Sequence, residues 1–366
     1  MMGELLVRNL FHRPVRTLIG VLAIAVEVSL VVLVVGLVTG LLAETAKRIE
    51  GVGADIVVQP PAASILLGFS GAPMPIKIAD KLKELKYVQE VAPTLLQSNS
   101  AGGVEVIYGI DPESFRSVSG GFVFLAGHDF EGPNDILVDD WAARAKKLKV
   151  GDTYSLFNND WHVTGIVEHG KGARVFVPIT TLQDLIGAHD KASIFWIKCT
   201  RPEHTDDLMQ DIGRALPGYT VRPIKEMLSI YTSTNIPGLQ IFIDAMIALA
   251  VSIGLLVVFL TMYTTVIERT RDIGVLKSLG ANSPFIVRTL LLESALLCLC
   301  GIAAGVGLSY AARSVFVQIF PTLSIRITAE WIVRAGVIAL VGTVVGASYP
   351  AWVASKKDAV EALTFD

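Results

Sequence analysis

The chain has 366 residues, with 31 basic and 34 acidic side chains for a formal net charge of −3 at pH 7, a balance without the concentrated basic surface that nucleic-acid binding requires. Hydrophobic residues make up 52% and charged residues 18%, against ~25% charged in an average soluble domain. With a mean hydropathy of +0.56, the composition excludes a disordered chain and argues against an ordinary soluble globule.

The apolar excess is localised. Residues 1–16 place Leu6, Val7, Leu10 and Phe11 on one face beside Arg8, Arg13 and Arg16, the pattern of an amphipathic helix lying on a membrane surface. In residues 17–43 the only ionisable side chain is Glu27, and the stretch exceeds the ~20 residues that cross a bilayer. It is also longer than the ~7–15 residues of a signal-peptide core, so it is read as a retained anchor.

Residues 44–240 revert to the composition of a soluble domain. Strands are predicted at 55–59, 104–110, 136–138, 162–167, 175–178, 193–198 and 219–223, and helices at 79–86, 140–148 and 203–216. Turn signals fall at Gly109 to Pro112, Gly132-Pro133 and Asn158-Asn159. The expected module is α+β, with a strand-rich inserted subdomain at about 115–183. Three further apolar runs predict transmembrane helices at 241–267, 285–312 and 332–355, separated by a loop at 268–284 and one at 313–331 and followed by a tail at 356–366. The fold class is therefore an α-helical membrane protein with four transmembrane helices and an α+β extracytoplasmic domain between the first and second.

Orientation follows from basic residues near the spans. Arg8, Arg13 and Arg16 precede the first, Arg269, Arg271 and Lys277 lie between the second and third, and Lys356 and Lys357 follow the fourth. These positions share one side of the membrane, which places both termini in the cytoplasm and the large domain outside.

Chemistry-bearing motifs are sparse. No G-x-x-x-x-G-K-[S/T] phosphate loop occurs, and the six histidines have neither an H-E-x-x-H nor a C-x-x-C companion. Ser70, between Phe69 and Gly71, lacks the spacing of a nucleophile turn and reads as loop. Cys298 and Cys300 fall in the third span, and Cys199 stands alone in the outer domain. No catalytic, cofactor or metal site is expected.

The most informative stretch follows the second span. Ile273, Leu276 and Leu279 recur at threes while Arg269, Asp272 and Lys277 point elsewhere, which predicts a short amphipathic helix ended by Gly280. Gly274 in its middle costs ~1 kcal/mol relative to alanine and allows close approach of another surface.

This stretch resembles the second-to-third-span loop of the MacB/FtsX-like branch of ABC transporter permeases, written E-R-x-x-E-I-G-[I/V]-x-[K/R]-[A/S]-[L/V]-G-A. Glu268, Arg269, Ile273, Gly274, Val275, Lys277, Ser278, Leu279, Gly280 and Ala281 match, and Asp272 replaces glutamate. The segment from Arg8 to Leu18 is similar to the family's entry helix, and that from Tyr349 to Leu363 to its ending, with Ala359 in place of a proline. The resemblance covers the whole chain in order. It implies that Glu268, Arg269, Arg271, Asp272, Ile273, Gly274, Leu276, Lys277, Leu279 and Gly280 form a coupling helix docked on a separate cytoplasmic ABC ATPase. It also implies that ATP and Mg are held by that partner and none by this chain, and that a second permease copy completes a dimer in the bacterial inner membrane. A periplasmic adaptor is a further partner left open.

Within the spans, small-xxx-small pairs at Gly36/Gly40, Gly301/Gly305 and Gly342/Gly346 predict close helix contacts, in the bundle or across a dimer. Glu27 is the sharpest local feature, since a carboxylate in mid-span must face a partner or a wet cavity. A glutamate that is protonated or hydrogen-bonded to a neighbouring helix through groups such as Ser29 or Thr39, and one that contacts substrate or gate, are its two readings. Glu293 is placed near the interface, paired with Arg288. For the chain as a whole, an exporter permease for a hydrophobic or amphipathic substrate is weighed against an FtsX-like mechanotransmission subunit that activates an outer enzyme. The size of the outer domain favours the exporter.

Overall fold

A computed structural model describes residues 14–61, 73–99, 105–231, 236, 238–268 and 270–356. The N-terminal amphipathic segment, Ser70, Arg269 and the tail after Lys356 lie outside them. The helices are α1 (Pro14–Gly51), α2 (Ile78–Lys83), α3 (Pro112–Ser119), α4 (Asp140–Lys146), α5 (Ile179–Ile186), α6 (Thr205–Ala215), α7 (Ile224–Ile230), α8 (Leu239–Glu268), α9 (Thr270–Ser278), α10 (Ser283–Ile319) and α11 (Ala329–Lys356). The strands are β1 (Ile56–Gln59), β2 (Met74–Pro75), β3 (Val88–Asn99), β4 (Glu105–Ile110), β5 (Phe124–Gly127), β6 (Asp135–Asp139), β7 (Thr153–Leu156), β8 (Asn159–Val167), β9 (Val175–Pro178), β10 (Lys191–Ala192), β11 (Ile194–Cys199) and β12 (Thr220–Pro223). They form two compact units, one of Met1–Thr39, Gly238–Gln318 and Ile325–Asp366, the other of Gly40–Pro237 with Ile319–Ser324.

In the helical unit α1, α8, α10 and α11 are each long and apolar enough to cross a membrane. Their shared core takes Ile24, Val28, Val31 and Val32 from α1, Ala250, Val258 and Met262 from α8, Leu297 and Cys298 from α10, and Ala335, Ala339 and Ala347 from α11. Lipid supplies no hydrophobic drive between helices, so close packing has to hold them. Small residues permit it. A Cβ built on Gly301 would stand 2.6 Å from the Cβ of Ile24, and one on Gly305 would stand 2.7 Å from the Ala25 carbonyl oxygen. Gly346 meets the Leu255 carbonyl oxygen in the same way at 3.0 Å, with Gly342 3.8 Å from Val251. The first pair therefore seats α10 on α1, and the second seats α11 on α8. Gly36 meets the backbone of Arg326, whose amide donates to the Gly36 carbonyl at 2.9 Å, and Gly40 is buried in α1.

The other unit is built on a ten-stranded sheet among the described residues, ordered β12-β1-β11-β3-β4-β9-β6-β8-β5 with β7 on β8. The β4–β9 and β6–β8 pairs are parallel and the remainder antiparallel. Side-chain alternation splits the strands between two buried faces. Val57 and Trp196 enter one cluster with Phe115, Val118, Ile224 and Met227, while Ile56, Val58, Phe195 and Ile197 meet Leu82, Leu208 and Ile212 on the other. A third cluster unites Leu95, Ile107, Val138, Trp161 and Leu182. Residues 115–183 supply β5 to β9, which continue this one sheet.

Two local features differ from the sequence reading. The helix of the first span continues past Glu44: α1 is a single helix of 38 residues, or about 57 Å at 1.5 Å per residue. Its last turns bury Ile49 and pack Leu42 and Ala46 against the first sheet cluster, so the charged residues there ride on a helix held by apolar neighbours. The Gly109 to Pro112 turn signal is in fact the start of α3. Asp111 accepts from the Ser114 amide at 3.0 Å as N-cap, and Pro112 takes the first helical position, where its missing N–H costs nothing.

Candidate functional site

The predicted coupling segment is a short helix, α9, whose residues point in opposing directions. Ile273 is buried in a cluster with Val266, Ile286, Leu290, Ala351 and Ala354, which draws on the ends of α8, α10 and α11. Gly274 is buried beside it, and Arg271 and Glu268 are exposed. Val275, Leu276 and Leu279 are 42%, 43% and 79% exposed. The regular spacing by threes thus resolves into one inward anchor and an outward apolar tip. Of Asp272 only the backbone is described.

The tip is held by a well-formed helix end. Gly280 adopts φ +97°, a conformation natural only to glycine. The Ala281 amide donates to the Leu276 carbonyl at 3.0 Å and the Gly280 amide to the Lys277 carbonyl at 3.0 Å, the two bonds of a Schellman cap. Two residues on, the Asn282 side chain accepts from the Phe285 amide at 3.1 Å and so caps the start of α10. Residues 279–282 join the two helices, and Leu279 is the most exposed apolar side chain of this corner.

Beneath the tip, the Lys277 ammonium donates to the Ser355 carbonyl at 2.7 Å, and the Ser283 hydroxyl donates to the same oxygen at 3.0 Å. Ser355 lies in the last turn of α11, whose carbonyls have no partner within the helix and carry the negative end of its dipole. A cation there satisfies both demands. These two bonds fasten α9 and the start of α10 to the end of α11. Nothing in the local sequence signals the Lys277 bond, which spans 78 positions.

Glu27 is half-buried and lies against Gly254 of α8, where any Cβ would overlap its carboxylate. It makes no hydrogen bond or ion pair among the described residues. Neither proposed partner reaches it: Thr39 bonds the Val35 carbonyl of its own helix at 2.8 Å, and Ser29 is buried elsewhere on α1. Nor does Arg288 pair with Glu293. Arg288 is exposed without an ionic partner among the described residues, and Glu293 is buried.

In the sheet unit, sequence reasoning missed a buried polar knot. The Arg174 guanidinium lies 3.7 Å from the Asp139 carboxylate and 4.9 Å from the Trp141 ring centre, and donates to the Thr322 carbonyl at 3.1 Å. Asp139 is 1% exposed and caps α4 by accepting from the Ala142 amide at 2.6 Å. Burial pushes its carboxyl up to about 6, with that amide and Arg174 pulling the other way. Thr322 belongs to the Ile319–Ser324 link between α10 and α11, so Arg174 ties that link to the sheet.

A family profile described as MacB-like periplasmic core domain matches residues 17–215, and one described as FtsX-like permease C-terminal matches residues 245–359. The macrolide export ATP-binding/permease protein MacB of Shewanella sp. (strain W3-18-1) is 27% identical over 383 residues, covering 96% of this chain and 58% of that protein. The protein of the same name from Sodalis glossinidius (strain morsitans) is 28% identical over 390 residues, again covering 96% and 58%. The chain thus spans less than two thirds of the length of these relatives. Among solved structures, the periplasmic region of MacB from Actinobacillus actinomycetemcomitans aligns with TM-score 0.39 and 16% identity over 52% of this chain and 98% of that one. The extracellular domain of the noncanonic ABC-type transporter YknZ from Gram-positive bacteria gives 0.36 and 14% over 46% and 98%. With one profile over the first span and sheet domain and the other over the remaining spans, the chain belongs to the MacB/FtsX-like family of ABC transporter permeases.

Proposed function

We propose that the chain is the permease subunit of an ABC-type export complex, in which a partner ATPase binds ATP and Mg and hydrolyses the ATP, and the work reaches the spans through α9. The observation that carries this reading is the apolar apex of Val275, Leu276 and Leu279, exposed on a helix whose other face is locked to α8, α10 and α11. An exposed apolar tip on a rigid mount suits a cleft in a partner. The basic residues around it favour the cytoplasmic side of the inner membrane, with both termini inside. Movement of α9 acts on α11 through Lys277, and the link after α10 is held to the sheet by Arg174. Movement of the sheet domain, in a dimer of two such chains, is the output expected of the cycle.

The macrolide export named for the relatives supports a hydrophobic or amphipathic cargo, and Glu27 is the candidate cargo or gate contact. Proteoliposomes containing this chain and its ATPase should accumulate or release such a cargo only with ATP. Transport by the chain alone would exclude the proposal. ATP hydrolysis without any vectorial movement, accompanied by activation of an outer enzyme, would favour mechanotransmission instead.

A further inference from the structure

A groove of about 760 Å³ runs between α10 and α11 at their α9 end. Leu291, Leu292 and Val344 line it farther along the two helices, and Arg288, Trp352 and Lys356 line it nearer their α9 ends. No acidic side chain is among the lining residues. Lys356 lies 3.9 Å from the centre of the Trp352 ring, so the aromatic face holds the ammonium over the apolar opening. Arg288 is exposed, and neither cation is paired with an acid among the described residues. The groove is thus apolar along the spans and doubly positive where they end. Lys356 directly follows the charge-free run 335–355, which puts the two charges at the depth of lipid headgroups.

We propose that this groove holds one anionic phospholipid of the leaflet on the α9 side, its acyl chains along Leu291, Leu292 and Val344 and its phosphate between Arg288 and Lys356. The two ends of the lipid match the two ends of the groove. A zwitterionic lipid offers the same chains but brings its own cation to the two already there, whereas an anionic headgroup gains both. The Ser283 bond to the Ser355 carbonyl closes the α9 end of the same groove, so an occupied site braces the corner on which α9 is mounted. The proposal rests on residues of α10 and α11 and stands whether or not α9 receives an ATPase.

The test uses the full-length chain carrying Trp331→Phe in nanodiscs, with brominated phosphatidylcholine or brominated phosphatidylglycerol as quencher. Trp352 is then the tryptophan left in the spanning helices, since Trp141, Trp161 and Trp196 lie in the sheet unit. Half-maximal quenching is expected at a mole fraction of the glycerol lipid about thirtyfold lower than that of the choline lipid, given about 1 kcal/mol for each of the two basic side chains at a membrane surface. Arg288→Gln with Lys356→Gln should abolish that preference, and Arg288→Lys with Lys356→Arg should keep it. Should the neutral pair not fold, raising salt from 0.1 to 1 M must shrink the preference in the parent chain. Equal quenching by both lipids would reduce the groove to ordinary solvation by lipid tails and overturn the proposal. Absence of quenching by either would show that a second copy or another protein fills the groove, and would overturn it as well.

Discussion

The Lys277 ammonium holds the Ser355 carbonyl at 2.7 Å, fastening α9 to the last turn of the final span. In the proposed function, this bond is the route by which a push on α9 reaches α11. Hydrogen bonds from charged donors contribute about 1.5–3 kcal/mol, and Lys277→Met removes that cap while leaving the exposed tip in place. The variant should still bind its ATPase, with substrate-stimulated hydrolysis reduced. Unchanged stimulation would mean that force enters by another path.

Close seating of α10 on α1 depends on Gly305, whose added Cβ would fall 2.7 Å from the Ala25 carbonyl oxygen. Overpacking of this kind costs about 1–3 kcal/mol. Gly305→Leu should lower the thermal midpoint of the detergent-purified chain, while Gly307→Leu, at an open position, should not. Equal effects of the two would remove the contact from the account.

Glu27 and Gly254 share one space. Gly254→Ala should destabilise the bundle, and Glu27→Ala in the same chain should recover most of the loss. The coupling energy is expected within the 0.5–3 kcal/mol seen for touching residues. Strictly additive effects on the thermal midpoint would place the carboxylate elsewhere.

Asp139 supplies a pH dependence. Its carboxyl titrates near 6 in the folded domain against 3.8 for an unperturbed aspartate, so the folded state binds its proton more tightly than the unfolded chain. The sign follows: this contribution falls as pH rises from about 4 to 6 and costs about 3 kcal/mol above that window. Asp139→Asn keeps an oxygen for the Ala142 amide and should flatten that part of the stability profile, measured by urea unfolding. A profile unchanged by the substitution would assign the slope to other groups.

Much of this architecture is legible in the residues, because spans announce themselves by length without charge and most strands by β-branched runs. The strand reading failed where local chemistry interrupts the pattern. The long β3 carries Pro93 opposite Phe195, and a proline argues against an interior strand. At α9 the spacing by threes suggested a single face. Each step of three falls about 60° short of a full turn, so Ile273 ends up inside and Leu279 outside. The contacts that give the site its leverage, Lys277 with Ser355 and Arg174 with Thr322, join positions 78 and 148 residues apart. Only the folded chain brings them together.

The central claim is that α9 receives a partner's motor, and the most direct measurement is the amount of ATPase that co-purifies with the chain before and after Leu279→Asp. At 79% exposure the substitution should leave folding stability within about 0.5 kcal/mol. A charge at the centre of an apolar contact should lower the affinity for the ATPase by a factor of ten or more. ATPase recovered in full with the folded variant would contradict the account.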